Sequence, residues 1–185
     1  MQKVLLLHGW GGSDFPHWQS WLAGELARDY GCVNFLRFSD VDHPKLDIWM
    51  QELQEALKSF QPDVVICHSL ANTLWFHLCN QKSDLHTIEK LYLVAPPKLN
   101  CTIPELAEFF PLKLPKDLHA KETLLITSTN DPYLTEQEAK NLQKSLNVEM
   151  KVLKDAGHIN ADSGFGEWEW LLQEVMKDTL NYSKV

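Results

Sequence analysis

The sequence lacks the features by which membrane-spanning, metal-binding and nucleic-acid-binding proteins are commonly recognised. No apolar run approaches the roughly 20 residues of a transmembrane helix, and there is no polybasic tract. The formal net charge of −8 disfavours nucleic-acid and anionic-membrane partners, because both bind basic faces. The four cysteines form no C-x-x-C pair and no histidines show H-x-x-x-H spacing, so we expect buried free thiols, no metal and no cofactor.

The amino-terminal segment also lacks the apolar core of a signal peptide. One lysine precedes the short apolar run Val4–Leu7, whereas a signal peptide has an apolar region of roughly 7–15 residues. We therefore expect a cytoplasmic protein and interpret this run as a first strand. A length of 185 residues with 44% hydrophobic residues is typical of one globular domain, which we expect to span residues 1–185.

Short apolar runs alternate with helical patterns along most of the chain. The runs predict strands at residues 3–7, 33–38, 63–67, 90–95, 123–127 and 148–153. Amphipathic segments predict helices near residues 15–30, 46–57, 70–78, 135–146 and 166–180. This alternation is typical of βαβ units. We predict an α/β fold, a three-layer sandwich with about six mostly parallel strands and helices on both faces.

A proline-rich segment interrupts this alternation. Residues 96–121 contain five prolines, and a short helix is predicted near residues 104–110. Loops at the carboxyl ends of parallel strands build binding sites. We therefore expect Phe109 and Phe110 to line a substrate pocket, with His8 at its rim.

The segment Cys67-His68-Ser69-Leu70-Ala71 follows a predicted strand and opens a helical pattern. Hydrolases place a nucleophilic serine at such a sharp strand-to-helix turn, usually as G-x-S-x-G. The residues two before and two after the serine must be small, and cysteine and alanine are small. On this pentapeptide alone, a nucleophile and a simple helix cap remain alternatives.

Three of the eight glycines lie in the loop His8-Gly9-Trp10-Gly11-Gly12, after the first strand. In α/β-hydrolases this loop supplies one N–H of the oxyanion hole, and the residue after the nucleophile supplies the other. The donors would here be Trp10 and Leu70. A phosphate-binding loop is the alternative, but neither G-x-G-x-x-G nor a P-loop lysine is present.

Two further loops carry an aspartate and a histidine. Asp131, in TNDPY, follows the fifth predicted strand, and His158, in DAGHIN, follows the sixth. Alone, an Asp-Pro pair indicates a turn and a loop histidine indicates polar surface. The order Ser69, Asp131, His158 is however the α/β-hydrolase order. We predict a triad in which His158 takes the proton of Ser69 and Asp131 orients the imidazole, while His68 points away from Ser69.

These motifs resemble those of one known family. HGWGG, CHSLA, TNDPY and GHINADSGFGEWEW are similar to the small serine hydrolases grouped with retinoblastoma-binding protein 9, from His8 to about Trp170. The resemblance implies a minimal α/β-hydrolase without the first two strands of the full fold and without a lid domain. It also implies the triad Ser69, Asp131 and His158.

The sequence departs from that family in two places. The family commonly has glycine at position 71 and often at 67, where this chain has alanine and cysteine. The family name also suggests pocket-protein binding through L-x-C-x-E. The nearest segment, residues 99–103, lacks the glutamate, so we expect no such partner.

The expected activity is hydrolysis of small acyl esters or amides through an acyl-enzyme, with a small-molecule substrate and no identified protein partner. A non-catalytic binding or interaction protein that retains the elbow is the alternative. A cofactor-free hydrolase of carbon–carbon bonds would use the same residues.

Overall fold

A computed structural model describes residues 2–30, 32–82 and 85–182. The strands are β1 (Val4–Leu7), β2 (Val33–Leu36), β3 (Val64–His68), β4 (Ile88–Val94), β5 (Ala120–Ser128) and β6 (Glu149–Leu153). The helices are α1 (Trp18–Tyr30), α2 (Leu46–Phe60), α3 (Leu70–Gln81), α4 (Glu136–Leu146) and α5 (Glu169–Tyr182). Short 3-10 helices lie at Pro104–Phe109 and Ala161–Ser163.

The six strands form one sheet in the order β2-β1-β3-β4-β5-β6, and every pairing is parallel. All carboxyl ends therefore point to the same edge of the sheet. The register places Leu7 beside Cys67 and His68 beside Val94. The loops after β1, β3, β5 and β6, which carry the predicted site residues, consequently leave from that one edge.

Helices cover both faces of the sheet, as the sequence predicted. Because successive side chains of a strand point to opposite faces, Leu5 and Leu7 pack on the side of α2, α3 and α4. Val4 and Leu6 pack on the side of α1 and α5. The central strands are buried on both sides, which explains their continuous apolar sequences. The three-layer α/β prediction is confirmed.

The ends of two helices differ from the predicted ones. Helix α1 begins at Trp18, after a turn over residues 15–17. Helix α5 begins at Glu169, after a 3-10 turn that ends at Gly164 with φ +81°. Thr135 and Glu138 bond reciprocally at the start of α4 and form a capping box. Gly31, whose residue type often ends a helix, follows α1 and lies outside the described residues.

All four cysteines are free, and Cys67 and Cys79 are buried. Burial raises the pKa of the Cys67 thiol well above its usual value and that of Cys79 to about 12. Both therefore remain protonated core residues. Within the described ranges, no helix is both long enough and apolar enough to cross a membrane.

Candidate active site

Ser69 occupies a sharp turn between β3 and α3. Its backbone has φ 53° and ψ −121°, a conformation that a non-glycine residue adopts only at an energetic cost. The Ser69 N–H donates to the Val94 carbonyl at 3.0 Å, which ties the turn to the neighbouring strand. The Ser69 hydroxyl makes no capping bond to the helix it precedes. The simple helix-cap alternative is therefore not what the structure shows.

Small residues make this turn possible without glycine on either side. Cys67 and Ala71 both have no exposed surface and pack in the core beneath the elbow. Asn72, one turn further, donates from Nδ2 to the carbonyls of Ser69 (2.8 Å) and Val94 (2.9 Å). Asn72 was not predicted from the sequence, although an asparagine on the buried face of α3 was a usable signal.

The structure brings the three predicted triad residues together. His158 Nε2 lies 2.8 Å from Ser69 Oγ, and His158 Nδ1 lies 3.0 Å from both carboxylate oxygens of Asp131. A carboxylate only accepts hydrogen bonds, so Nδ1 carries the proton and Nε2 accepts from the Ser69 hydroxyl. The Asp131 side chain is 1% exposed, so water competes little with its bond to the imidazole.

The loop that carries His158 is held by side chains from the end of β5. Ser128 Oγ accepts from the Ala156 N–H at 2.9 Å, and Asn130 Oδ1 accepts from the Gly157 N–H at 2.7 Å. Gly157 has φ +55°, and a Cβ there would lie 2.3 Å from Ser163 Oγ. Only glycine fits this position. Through the bonds of Ser128 and Asn130, the segment that leads to Asp131 also holds the loop that carries His158.

The glycine-rich loop after β1 lies directly against the elbow. A Cβ on Gly9 would lie 2.7 Å from Ser69 Cβ, so only glycine permits this approach. Gly11 N–H donates to Val41 O, and the Trp10 indole donates to Asp42 O, each at 2.9 Å. Among the described residues, the main-chain N–H groups of Trp10 and Leu70 have no hydrogen-bond acceptor. One of these donors directly follows Ser69 in the elbow, and the other follows Gly9 in the loop packed against it.

The residues predicted to line a pocket are placed differently. His8 is 2% exposed, accepts from the Phe38 N–H at Nε2 (2.9 Å), and donates from Nδ1 to Gly9 O (2.7 Å). Burial lowers the pKa of His8. With both ring nitrogens engaged by the main chain, this neutral histidine braces the loop and has no nitrogen left for a substrate.

Phe109 also departs from the prediction. Its side chain has no exposed surface and lies 5.7 Å from the Trp49 ring, centroid to centroid. It is therefore a core residue and does not line a pocket, which corrects the expectation from sequence. Phe110 is half-buried against the same core. A proline-rich segment with phenylalanines carries no signal that separates core from pocket, because the difference depends on tertiary packing.

Two partly exposed aromatic side chains belong to the loops of the candidate site. Tyr133 is 40% exposed, and its ring meets the His158 imidazole edge-on with centroids 4.6 Å apart. Trp10 is 39% exposed and belongs to the glycine-rich loop that packs against the elbow. Ser69 itself is partly exposed, so its side chain is accessible to solvent.

Two buried histidines lie on the α1 side of His158: the ring of His68 packs near that of His158, and the ring of His17 packs against His68. Burial lowers the pKa of His68 well below its usual value and that of His17 to about 4, so both are neutral at pH 7. As predicted, His68 does not approach the Ser69 hydroxyl; its Nε2 lies 3.1 Å from the His158 carbonyl. Across the described residues, no group of three or more histidine, cysteine, aspartate or glutamate side chains could hold a metal ion.

Comparison with known proteins gives one family and many structural relatives. Residues 4–177 match the model of a family described as serine hydrolase. The chain is 26% identical to a protein described as a YdeN-like hydrolase from Pectobacterium atrosepticum, with a TM-score of 0.72 over 95% of this chain and 89% of that one. No curated protein matches the sequence.

Two further solved structures share the fold. The ydeN gene product of B. subtilis is 20% identical, with a TM-score of 0.81 over 96% of this chain and 98% of that one. The esterase domain of a Rhodothermus marinus protein is 12% identical, with a TM-score of 0.60 over 89% and 81% of the two chains. At these identities the likeness concerns the arrangement of strands and helices.

Proposed function

The chain belongs to the serine hydrolase family, and from that premise we propose that it cleaves small acyl esters or amides through an acyl-enzyme. Ser69 is the nucleophile, His158 the general base and Asp131 the acid that orients the imidazole. One observation carries the proposal: Ser69 Oγ, both ring nitrogens of His158 and both Asp131 oxygens form one continuous hydrogen-bonded chain with links of 2.8 and 3.0 Å.

The first half-reaction follows from these contacts. As Ser69 Oγ attacks the acyl carbon, His158 Nε2 takes the hydroxyl proton, and the resulting imidazolium is stabilised by the buried Asp131 carboxylate. The proton then passes from Nε2 to the leaving alcohol or amine. This leaves the acyl group as an ester on Ser69.

In this proposal the main-chain N–H groups of Trp10 and Leu70, which have no acceptor among the described residues, bind the oxygen that becomes negative during the attack. Each preorganised donor of this kind contributes roughly 3–4 kcal/mol to stabilisation of the transition state. In the second half-reaction His158 activates a water molecule, which hydrolyses the ester and restores Ser69.

Carboxylesterase and amidase activity differ only in the leaving group that His158 protonates, so the same residues serve both. A binding protein without catalytic activity would not require a strained backbone at Ser69 or the alignment of its hydroxyl on His158. These features support the enzyme over the binding-protein alternative.

Covalent labelling tests the assignment. We expect a fluorophosphonate probe to modify the wild-type protein at one site, and Ser69→Ala and His158→Ala to abolish the modification. Ser59→Ala is the matched control, because Ser59 is exposed on α2 and its hydroxyl bonds only to carbonyls of its own helix. Mass spectrometry of the intact protein and its peptides measures the result.

Two outcomes would contradict the proposal. Undiminished labelling of Ser69→Ala would identify another nucleophile. A folded wild-type protein that neither labels nor cleaves any ester or amide of a broad panel would favour the binding-protein alternative.

A further inference from the structure

His68, the residue before the proposed nucleophile, makes a long-range contact with the proposed base. It is the last residue of β3, is 4% exposed, and its Nε2 lies 3.1 Å from the main-chain oxygen of His158. The two residues are 90 positions apart in sequence. A carbonyl oxygen can only accept, so the His68 Nε2 carries a proton and donates it to this bond.

The His68 ring is fixed by its neighbours on the α1 side of the sheet. Its centroid lies 4.8 Å from that of His17 and 5.7 Å from that of Trp18, with the indole at 89° to it. These contacts leave the ring little freedom to rotate. Because burial lowers the pKa of His68 well below its usual value, the ring is neutral and has a single N–H group. That N–H is the one directed at His158.

The His158 main chain is held on both sides by groups outside its own peptide. Its N–H donates to Ser163 Oγ at 3.1 Å, and its carbonyl accepts from His68. The next carbonyl, that of Ile159, accepts from the Trp18 indole at 2.8 Å, and Ile159 has φ +49°. Two successive carbonyls of a strained loop are thus turned inward by buried ring N–H groups.

The His68 bond comes from a different strand than the bonds that hold the residues just before His158. The N–H groups of residues 155–157 are held by side chains that follow β5 or end it. His68 comes from β3, the strand that carries Ser69. It therefore fixes the main chain of the base relative to the nucleophile's own strand, separately from the Nε2–Oγ bond between the two side chains.

From this geometry we propose that His68 is a positioning residue, which holds the His158 main chain so that the imidazole spans Ser69 and Asp131. The inference rests on the proposed function of that triad. His68 does not approach the Ser69 hydroxyl. It contacts the base at its main-chain oxygen, 3.1 Å from His68 Nε2, and through its ring, whose centroid lies 5.4 Å from that of His158. Without the donor, the His158 carbonyl is a buried acceptor with no partner, and the loop can relieve this only by moving.

Two substitutions separate the donor from the volume of the ring. His68→Phe keeps an aromatic ring but has no N–H, whereas the amide of His68→Gln can donate from nearly the position of Nε2. A displacement of about 1 Å of a catalytic group costs on the order of 10²-fold in rate. We expect His68→Phe to lower kcat by about that factor with KM nearly unchanged, and His68→Gln to recover most of kcat.

His77→Phe is the matched control. His77 makes the same kind of bond, from Nε2 to the Phe109 carbonyl at 2.9 Å, but on α3 and away from the triad. Its loss should leave kcat unchanged.

A second measurement does not depend on activity. The Nδ1 proton of His158, hydrogen-bonded to Asp131, should give a downfield proton NMR resonance. Its disappearance in Asp131→Asn would assign it. We expect the resonance to broaden strongly in His68→Phe, because a displaced base exchanges this proton with water, and to stay sharp in His68→Gln and His77→Phe. If His68→Phe does not fold, His68→Asn replaces it, because its shorter amide cannot reach the carbonyl.

Wild-type kcat and an unchanged resonance in a folded His68→Phe protein would overturn the inference. Equal losses in His68→Gln and His68→Phe would also overturn it, since they would show that the site needs the shape of histidine and not its donor. A wild-type protein inert to every substrate and to fluorophosphonate would instead contradict the proposed function, and the resonances would still test the contact.

Discussion

Asp131 is held at the site through both of its carboxylate oxygens. Each lies 3.0 Å from His158 Nδ1, and Oδ1 also accepts from the Tyr133 N–H at 2.9 Å. Two other aspartates are near His158 in sequence but are exposed. Asp155 contacts Thr129, and Asp162 caps no helix, because the short turn there is capped by Asn160. Burial and contact thus single out one acid among three.

Exchange of Asp131 for asparagine should reduce the rate with little change in stability. In Asp131→Asn the amide can donate to Nδ1, which favours the wrong imidazole tautomer, so we expect kcat to fall by roughly 10³–10⁴. Asp155→Asn and Asp162→Asn are matched controls, and each should stay within about threefold of wild-type kcat because surface polar changes of this size cost little. Steady-state rates on one ester at pH 7–8 measure all three.

The controls can also identify a different acid. An inactive Asp162→Asn beside an active Asp131→Asn would transfer the acid role to Asp162, while the Ser69–His158 pair could stand. Unaltered melting temperatures in all three proteins are needed to read the rates in this way.

Individual residues show where sequence analysis reaches its limit. Ser69, Asp131 and His158 were predictable, because parallel strands bring their carboxyl ends to one edge and each residue lies within five positions of the end of a strand. The contacts of His68 and Asn72 were not, because they depend on which buried carbonyl lies opposite a side chain after folding. No spacing rule records such a contact.

At the scale of the elements, the apolar runs located every strand, and the ends of the helices were less well predicted. A strand buried on both faces has a continuous apolar sequence, so its core can be read directly. The starts of α1 and α5 depend instead on each other: the Trp18 N–H donates to Phe165 O, and a Cβ on Gly166 would lie 3.2 Å from Pro16 O. Local sequence cannot encode a boundary set by a segment about 150 residues away.

The packing of the segment between β4 and β5 was also not predictable from local sequence. Its short helix, Pro104–Phe109, was predicted, but the surface against which this helix packs was not. Phe109 packs on Trp49, and Glu108 bonds to Lys45 Nζ (2.8 Å) and to the Leu46 N–H (3.2 Å). The segment is therefore folded down onto the start of α2.

Across the described part of the whole molecule, no segment forms a lid over the serine, since the one candidate is anchored on α2. The proposed nucleophile is partly exposed, and Trp10 and Tyr133, on the loops beside the elbow and His158, are each about 40% exposed. A long acyl chain would stay largely in water at such a site. It would then gain little of the roughly 0.8 kcal/mol that burial of each methylene provides.

We therefore expect kcat/KM to be higher for acetyl and butyryl esters than for long-chain esters, with no jump in rate at a lipid interface. A graded series of nitrophenyl esters, assayed below and above the solubility limit, measures both. Rates that rise steadily with chain length would contradict the open site, and a rise at the interface would require a mobile cover.

The stability of the whole molecule should depend on pH through its buried histidines. His17 is 5% exposed, its Nδ1 accepts from the Gln19 N–H, and its neighbours include His68, 4.8 Å away between ring centroids. Burial is the largest cause that lowers the pKa of His17 to about 4, and the neighbouring His158 and His8 add smaller effects of the same sign. In the unfolded chain a histidine titrates near 6.5.

The sign of the effect follows from these two values. Between about pH 6.5 and 4 the unfolded chain binds a proton at residue 17 that the folded protein does not, so the free energy of unfolding falls as the pH falls. Above this window His17 contributes no pH dependence. At pH 5 the loss attributable to His17 is about 2 kcal/mol relative to pH 7.5, by the same linkage.

His17→Asn removes the titrating group and keeps an acceptor for the Gln19 N–H. We expect its free energy of unfolding, measured by urea denaturation, to fall by about 2 kcal/mol less than that of the wild type between pH 7.5 and 5. His43→Asn is the control, because His43 is exposed and should leave the slope unchanged. If His17→Asn loses stability as steeply as the wild type, then residue 17 is not the source of the pH dependence. His17 would then be solvated or already protonated in the folded protein.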